Sequence, residues 1–344
     1  MGNLRQSDKV KYIQNNHFVT SRTITPDDEY YNWQWAPAKI KLPDVWDEYT
    51  TGGTSANGDD IVIAIVDGGF DLAHEDLNFW KNTNEIPGNG IDDDNNGYID
   101  DYDGWNAYSS TGNIPNQNHG THVAGIAGAI GNNGTGISGV NWNIEVLPVA
   151  GSSGTEATVV EAYSYILEMR ALYNETNGQS GAFIVVTNSS FGVDPGDPDD
   201  FPIWCSMYDE LGNEGILNCA ATANENWNID QVGDVPTACS SEFLIAVTNT
   251  TSSDNKYPDA GYGVTHIDLG APRTNIYSTL PGDNYGYNTG ASMATPHVAG
   301  VIALMYASMC QDMIQDYKNT PGDFALMVRQ YLLEGADKFH PSTD

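Results

Sequence analysis

Apolar and polar positions change their period repeatedly along the chain. Residues 61–66, IVIAIV, form a continuous, largely β-branched apolar run that ends at Asp67. Such a run predicts a parallel strand buried on both faces. IEVLPV, AFIVVTNSS, GILNCAAT and FLIAVTNT predict further strands. Between them THVAGIAGAI (121–130) reads as a small-residue helix, and TVVEAYSYILEMRALY and FPIWCSMYDELG as amphipathic helices. SMATPHVAGVIALMYASM (292–309) is apolar nearly all round, which predicts a buried helix, and DFALMVRQYLLEG closes the chain as another. This alternation predicts an α/β fold, a three-layer sandwich with a mostly parallel central sheet. Ligands of such folds bind beyond the carboxyl ends of the strands.

The first residues stand apart. KVKYIQNNHFV reads as a lone strand and TPDDEYYNWQW as a polar, aromatic linker. There is no internal repeat. No run approaches the length of a membrane-spanning helix. MGNLRQSDKV lacks the apolar stretch of a signal peptide, so either the protein stays inside the cell or a signal was removed.

Charge narrows the partners. Thirteen Lys plus Arg face 46 Asp plus Glu, a formal net charge of -33. Such a surface repels nucleic acid and anionic lipid, attracts cations and stays soluble in salt. Cys205, Cys219, Cys239 and Cys310 allow three fully paired connectivities, and their spacing is not that of a zinc site. Cys219 lies in an apolar strand and reads as a small buried hydrophobe.

Three residues carry candidate chemistry. Asp67 ends a strand, where a carboxylate after an apolar run needs a partner. His119 stands in NHGTHVAGIAG and Ser292 in TGASMATPHVAG, each at a helix start. Alone, each has an ordinary structural reading: a strand-end carboxylate, a packed histidine, an N-cap serine. Together they supply a nucleophile, a base and a carboxylate that fixes the base's tautomer. Their order, Asp, His, Ser, is that of subtilisin.

DGGFDLAHEDL, HGTHVAGIAG and GASMATPHVAG resemble the three signature blocks of the subtilases, serine peptidases of α/β fold, over residues 30 to 335. The resemblance implies that Ser292 attacks the scissile carbonyl, His119 shuttles the proton and Asp67 orients His119. AATANEN resembles the block that supplies an oxyanion-binding asparagine, here Asn224. Three departures accompany these matches. Gly68 follows the aspartate where a Thr or Ser is usual, Ala291 replaces a Thr before the nucleophile, and Ala223 replaces a Gly before the asparagine. They imply a working but slower protease, with Asp67 held less firmly. The resemblance also implies a substrate cleft walled by Ser189, Ser190, Phe191 and Gly192 on one side and by Ala221, Thr222 and Ala223 on the other. Gly151 to Gly154 would form a further rim, with Glu225 at the pocket floor.

A separate signal points to cations. Asp92, Asp94, Asn96, Tyr98, Asp100 and Asp103 follow the ligand spacing of an EF-hand calcium loop, with Gly97 at the turn and Asp in place of the final Glu. No Lys or Arg lies between residues 92 and 103 to offset the carboxylates. Flanking helices are not predicted, and the loop resembles calcium insertion loops of some subtilases. The resemblance implies a second calcium site from Gln34, Asp76 and Asn133, with carbonyls around Gly131, Thr135 and Ile137.

The same resemblance makes residues 1–26 a remnant of an inhibitory propeptide and 27–344 the peptidase domain. It implies a secreted, monomeric enzyme acting on polypeptides, with its own propeptide as inhibitor and chaperone. Cys205 and Cys239 would lie near each other. Two other readings stay open: a calcium-binding scaffold on an inactive protease fold, and a peptide ligase built on the same triad.

Overall fold

The computed structural model describes residues 24–338. The strand expected in KVKYIQNNHFV lies outside them. Two short helices, α1 (Ala36–Lys39) and α2 (Leu42–Glu48), precede the sheet. Its strands are β1 (Ile61–Asp67), β2 (Trp105–Asn106), β3 (Glu145–Ala150), β4 (Phe183–Ser189), β5 (Leu217–Ala221), β6 (Leu244–Thr250) and β7 (Leu269–Pro272). They lie in the order β2-β3-β1-β4-β5-β6-β7, and every pairing is parallel.

The side chains of β1 alternate between the two faces, as a strand's must. Ile61, Ile63 and Ile65 pack on the face covered by α3 (Asn118–Gly128) and the later helices α7 (Ala291–Ser308), α8 (Gln311–Asn319) and α9 (Pro321–Gly335). Val62, Ala64 and Val66 pack on the opposite face, against α4 (Glu156–Thr176) and α5 (Pro202–Asn213). Both faces are dry, which is why β1 needs no polar alternation. The sandwich has the three layers expected.

Several elements lie outside the predicted set. β7 is four residues long, and a short α6 (Ile229–Val232) follows β5. β8 (Ile276–Leu280) and β9 (Asn284–Asn288) form an antiparallel hairpin apart from the main sheet. The hairpin is fastened by His122 of α3, whose Nε2 lies 3.1 Å from the Ile276 carbonyl and 3.2 Å from that of Gly286. Burial pushes the His122 pKa down to about 4, so the ring stays neutral.

Cys205 and Cys239 form a disulfide with a Cα–Cα distance of 5.4 Å, tying α5 to the segment after α6. Closing a loop of this length stabilises the fold by about 3–4 kcal/mol in the chain-entropy account. Cys219 is buried and free, and Cys310 is exposed and free.

Candidate active site

β1 lies where the strand order turns back, with β3 on one side and β4 on the other. Its carboxyl end is therefore the expected ligand crevice, and Asp67 is its last residue. α3 reaches this end because residue 120 is glycine. A Cβ there would lie 2.2 Å from the Gly69 carbonyl oxygen and 3.0 Å from Asp67 Cβ. With that approach allowed, His119 Nδ1 lies 2.8 Å from Asp67 Oδ2 and 3.0 Å from Oδ1. The carboxylate thus keeps the ring proton on Nδ1 and leaves Nε2 as the free base. Burial of the ring disfavours its charged form, but the hydrogen bond and charge of Asp67 outweigh this and hold the His119 pKa above the ordinary imidazole value.

Gly68 offers the aspartate no side-chain hydroxyl, only its main chain. Its backbone N–H donates to Asp67 Oδ1 at 2.7 Å, so a main-chain donor helps to orient the carboxylate.

Ser292 is the second residue of α7. Pro296, four residues on, has no N–H to give the Ser292 carbonyl its helical bond. Ser190 Oγ fills that vacancy, donating to the Ser292 carbonyl at 3.0 Å, while Ser292 Oγ donates to the Ser190 carbonyl at 3.2 Å. The end of β4 and the start of α7 are thereby clasped twice. Among the described residues no hydrogen bond joins Ser292 Oγ to His119. Catalytic hydrogen bonds commonly form only when substrate is bound.

Asn224 follows β5 and is exposed. Its Oδ1 accepts the N–H of Ala291 at 2.9 Å. That bond pins the carbonyl end of the amide to the start of α7 and leaves Nδ2 unengaged, as is the backbone N–H of Ser292 among the described residues. Two free donors therefore stand at a helix N-terminus beside the serine, an arrangement suited to an oxyanion. Ala291 contributes through its main chain, so the threonine hydroxyl absent from this position is not needed to hold Asn224.

The cleft residues fall at adjacent strand ends, since Ser189 pairs with Ala220 across β4 and β5. Their roles differ in part from expectation. Gly192 is needed for packing: a Cβ there would lie 2.4 Å from the Val235 carbonyl oxygen. Gly151 likewise faces Ala162, at 2.8 Å, while its N–H donates to the Asp67 carbonyl. Gly154 has φ +96° with nothing but Thr158 near its Cβ position, so its backbone is open. Phe191 stacks on Trp204, with ring centroids 5.9 Å apart. Ala221, Thr222 and Ala223 are all buried.

Glu225 is exposed and makes no side-chain hydrogen bond among the described residues. The buried carboxylate here is Asp234, which the sequence reading missed. It accepts the Ala223 N–H at 2.9 Å and the Thr237 hydroxyl at 2.6 Å. Burial, with some help from Asp194, pushes its pKa up to about 6 against those two bonds.

The acidic loop folds differently from an EF-hand. Ligand-type oxygens of Glu85, Asp92 and Asp94 lie within 4.8 Å of one another. Glu85, upstream of the motif, joins Asp92 and Asp94 in this cluster, which does not include Asp103. Asp103 points away and pairs with Lys81 at 2.5 Å. Asp100 has φ +57° and caps the backbone N–H groups of Asn89 and Gly90. Asn96 is buried and bridges Asp94 and Asp101, and the Tyr98 ring packs edge-on against Trp105 and Tyr165. Asp101 is fully buried, and burial pushes its pKa up to about 6 despite hydrogen bonds from Asn82, Tyr165 and Asn96. A buried Glu85 facing two more carboxylates is a donor set that fits a hard divalent cation.

The second proposed cation loop also needs one correction. Gln34 is consumed by Ser138: its Oε1 accepts the Ser138 N–H at 3.0 Å and its Nε2 donates to the Ser138 carbonyl at 2.8 Å. The carboxylate that the N-terminal arm brings to the loop is Asp28, which accepts the N–H groups of Asn132 and Asn133 and the Ser138 hydroxyl. Asp76 is fully buried between the Asn133 amide, 3.0 Å, and the Ile137 N–H, 3.0 Å, and burial pushes its pKa up to about 7. The carbonyls of Gly131, Thr135 and Ile137 accept no hydrogen bond among the described residues. Unpartnered carbonyls around a buried carboxylate fit an oxygen-coordinated cation.

Residues 58–340 match the sequence profile of the Subtilase family. Thermitase from Thermoactinomyces vulgaris is 32% identical over 292 residues, covering 82% of this chain and 85% of its own. The thermophilic serine proteinase of Bacillus sp. (strain AK1) is 31% identical over 346 residues, covering 97% of this chain and 69% of its own. Subtilisin-like protease 1 of Plasmodium berghei is 30% identical over 304 residues, 81% of this chain, but the match spans only 47% of that relative's length. In fold, a protease of Pseudoalteromonas arctica superimposes with a TM-score of 0.63 at 23% identity, over 92% of this chain and 94% of that one. With its strand order, its helix layers and its Asp, His and Ser blocks all of one type, this chain belongs to the subtilase family.

Proposed function

We propose that the protein is a secreted, calcium-stabilised serine endopeptidase acting on polypeptides through Asp67, His119 and Ser292. The observations that support it most are the Asp67–His119 pair at the carboxyl end of β1 and a serine at the N-terminus of α7 with two unengaged donors beside it. On substrate binding, Ser292 Oγ turns from the Ser190 carbonyl toward His119 Nε2 and gives up its proton as it attacks the scissile carbonyl. Asp67 balances the charge on His119. The new oxyanion accepts from the Ser292 N–H and Asn224 Nδ2. His119 then protonates the leaving amine, and water hydrolyses the acyl-enzyme with His119 again as base. The test is labelling by a fluorophosphonate probe. Folded wild-type protein takes up the probe on Ser292; folded protein that resists it is not an active serine hydrolase.

The base must be neutral to accept the proton. Because the pair raises the His119 pKa above about 6.5, activity falls as pH drops through that raised value. We expect the acid limb of kcat/KM to have its midpoint above about 6.5. A flat profile between about pH 5 and 8 removes His119 from the role of base.

Calcium would be held by Glu85, Asp92 and Asp94 at one loop, and by Asp28, Asp76 and the carbonyls of Gly131, Thr135 and Ile137 at the other. It would neutralise carboxylates that are otherwise buried against one another. An ion present at about a thousand times its Kd contributes about 4 kcal/mol. Chelation should therefore lower the melting temperature by about 10 °C, and calcium alone should restore it. An unchanged melting curve removes the ions from the stability of the fold. The Cys205–Cys239 disulfide supports an oxidising compartment and hence secretion.

A further inference from the structure

Lys256 is half-buried and gathers an unusual set of oxygens. Its Nζ lies 3.1 Å from the Tyr257 carbonyl oxygen, 3.2 Å from that of Pro258, 3.1 Å from that of Ala260 and 3.0 Å from Asn226 Oδ1. The ammonium has three protons for these four oxygens, so the arrangement is closer to a coordination shell than to a set of directed hydrogen bonds. None of the four is a carboxylate oxygen. The Tyr262 ring closes a further side, its centroid 5.2 Å from Nζ. The carbonyls converge because residues 257–260 turn tightly around the charge; without a cation they would repel one another.

The turn is fastened to the segment that carries Asn224. Gly261 N–H donates to the Ala223 carbonyl at 3.1 Å, and Tyr262 N–H to the Trp227 carbonyl at 2.9 Å. Lys256 itself holds Asn226. Asn224 is thus tied on both sides to one turn, and Lys256 is the charge at the centre of that turn. Arg273, itself buried, also supports the turn, donating to the Asp259 carbonyl at 3.0 Å and lying over the Tyr257 ring.

We propose that Lys256 is a tethered monovalent cation that positions Asn224 for oxyanion binding, and that removing its charge uncovers a site for potassium or ammonium ion. The neutral oxygen shell and its ammonium-sized centre favour a weakly hydrated monovalent ion over a divalent one, which draws on carboxylates. The inference about Asn224 rests on the serine-peptidase reading above; the cation site does not.

The test uses Lys256→Met and Lys256→Gln, both purified in KCl and then exchanged into choline chloride of equal ionic strength. In choline, kcat should fall by about 10- to 100-fold, the cost of a misplaced catalytic group, with KM little changed. KCl or NH4Cl should restore most of the loss, and the melting temperature should rise with potassium in the variants but not in the wild type. In the Asn224→Ala background, Lys256→Met should lose most of its effect on kcat, because the group it positions is gone. A variant with wild-type kcat in choline, a loss of kcat that no monovalent cation restores, or variants that fail to fold in every salt would each overturn the proposal. If the wild type itself hydrolyses nothing, the potassium dependence of the melting temperature still decides the cation site, and it is the peptidase reading that fails.

Discussion

Ser292→Ala should reduce peptide hydrolysis by about a millionfold, the loss seen when the nucleophile of a subtilisin triad is removed. It should also abolish fluorophosphonate labelling. The fold should survive. The substitution deletes one hydrogen bond, from Ser292 Oγ to the Ser190 carbonyl, and keeps the reverse bond from Ser190 Oγ to the Ser292 carbonyl. That costs about 1 kcal/mol. The Asp67–His119 contact does not depend on the serine, since Ser292 makes no hydrogen bond to either. A residual rate from substrate binding and the oxyanion donors should persist above the uncatalysed one. Near-normal turnover in the alanine variant would place the chemistry elsewhere on the molecule.

Asn224→Ala should lower kcat by about 10²–10³, or about 2.7–4 kcal/mol, the range for losing such a donor from a subtilisin. KM should change little, because the donor acts on charge that develops only in the transition state. Asn224→Asp sharpens the expectation. The carboxylate can keep the bond from the Ala291 N–H, yet it places an acceptor where Nδ2 would donate. Its loss should be at least as large as that of the alanine variant, although the side chain is nearly isosteric. A fall of less than about tenfold in both variants would remove Asn224 from the oxyanion site.

Much of this site was legible in the chain. The apolar run 61–66 is typical of a doubly buried strand, and Asp67 at its end needed a partner there. The glycine and alanine pattern after His119 and Ser292 marked helices meant to approach other elements closely. Gly120 bears this out: its missing Cβ is what lets His119 come within 2.8 Å of Asp67. Cation ligands were harder to read, because spacing along a loop does not say which way each side chain turns. Asp103 fitted the motif but lies beside Lys81, and Glu85 lay outside the motif but turns inward. Asp28 went unread for the same reason: like Gln34 it reaches the 131–138 loop, and only the fold shows that it brings a carboxylate there.

By itself the sequence determined the parallel α/β architecture and the acidic character of the 92–103 loop, and its resemblance to the subtilases named Asp67, His119 and Ser292 as the candidate triad. The architecture and the charge follow from local apolar period and composition, and the candidate triad from short blocks that resemble a family's; all are properties of short segments. Tertiary structure alone decided how the triad is supported. Gly68 orients Asp67 through its main chain, Ser190 replaces the bond that Pro296 cannot make, Ala291 pins Asn224, and Lys256 draws three carbonyls around one charge. Each of these contacts uses backbone atoms, which every residue carries alike. A sequence therefore does not mark them until the chain is folded.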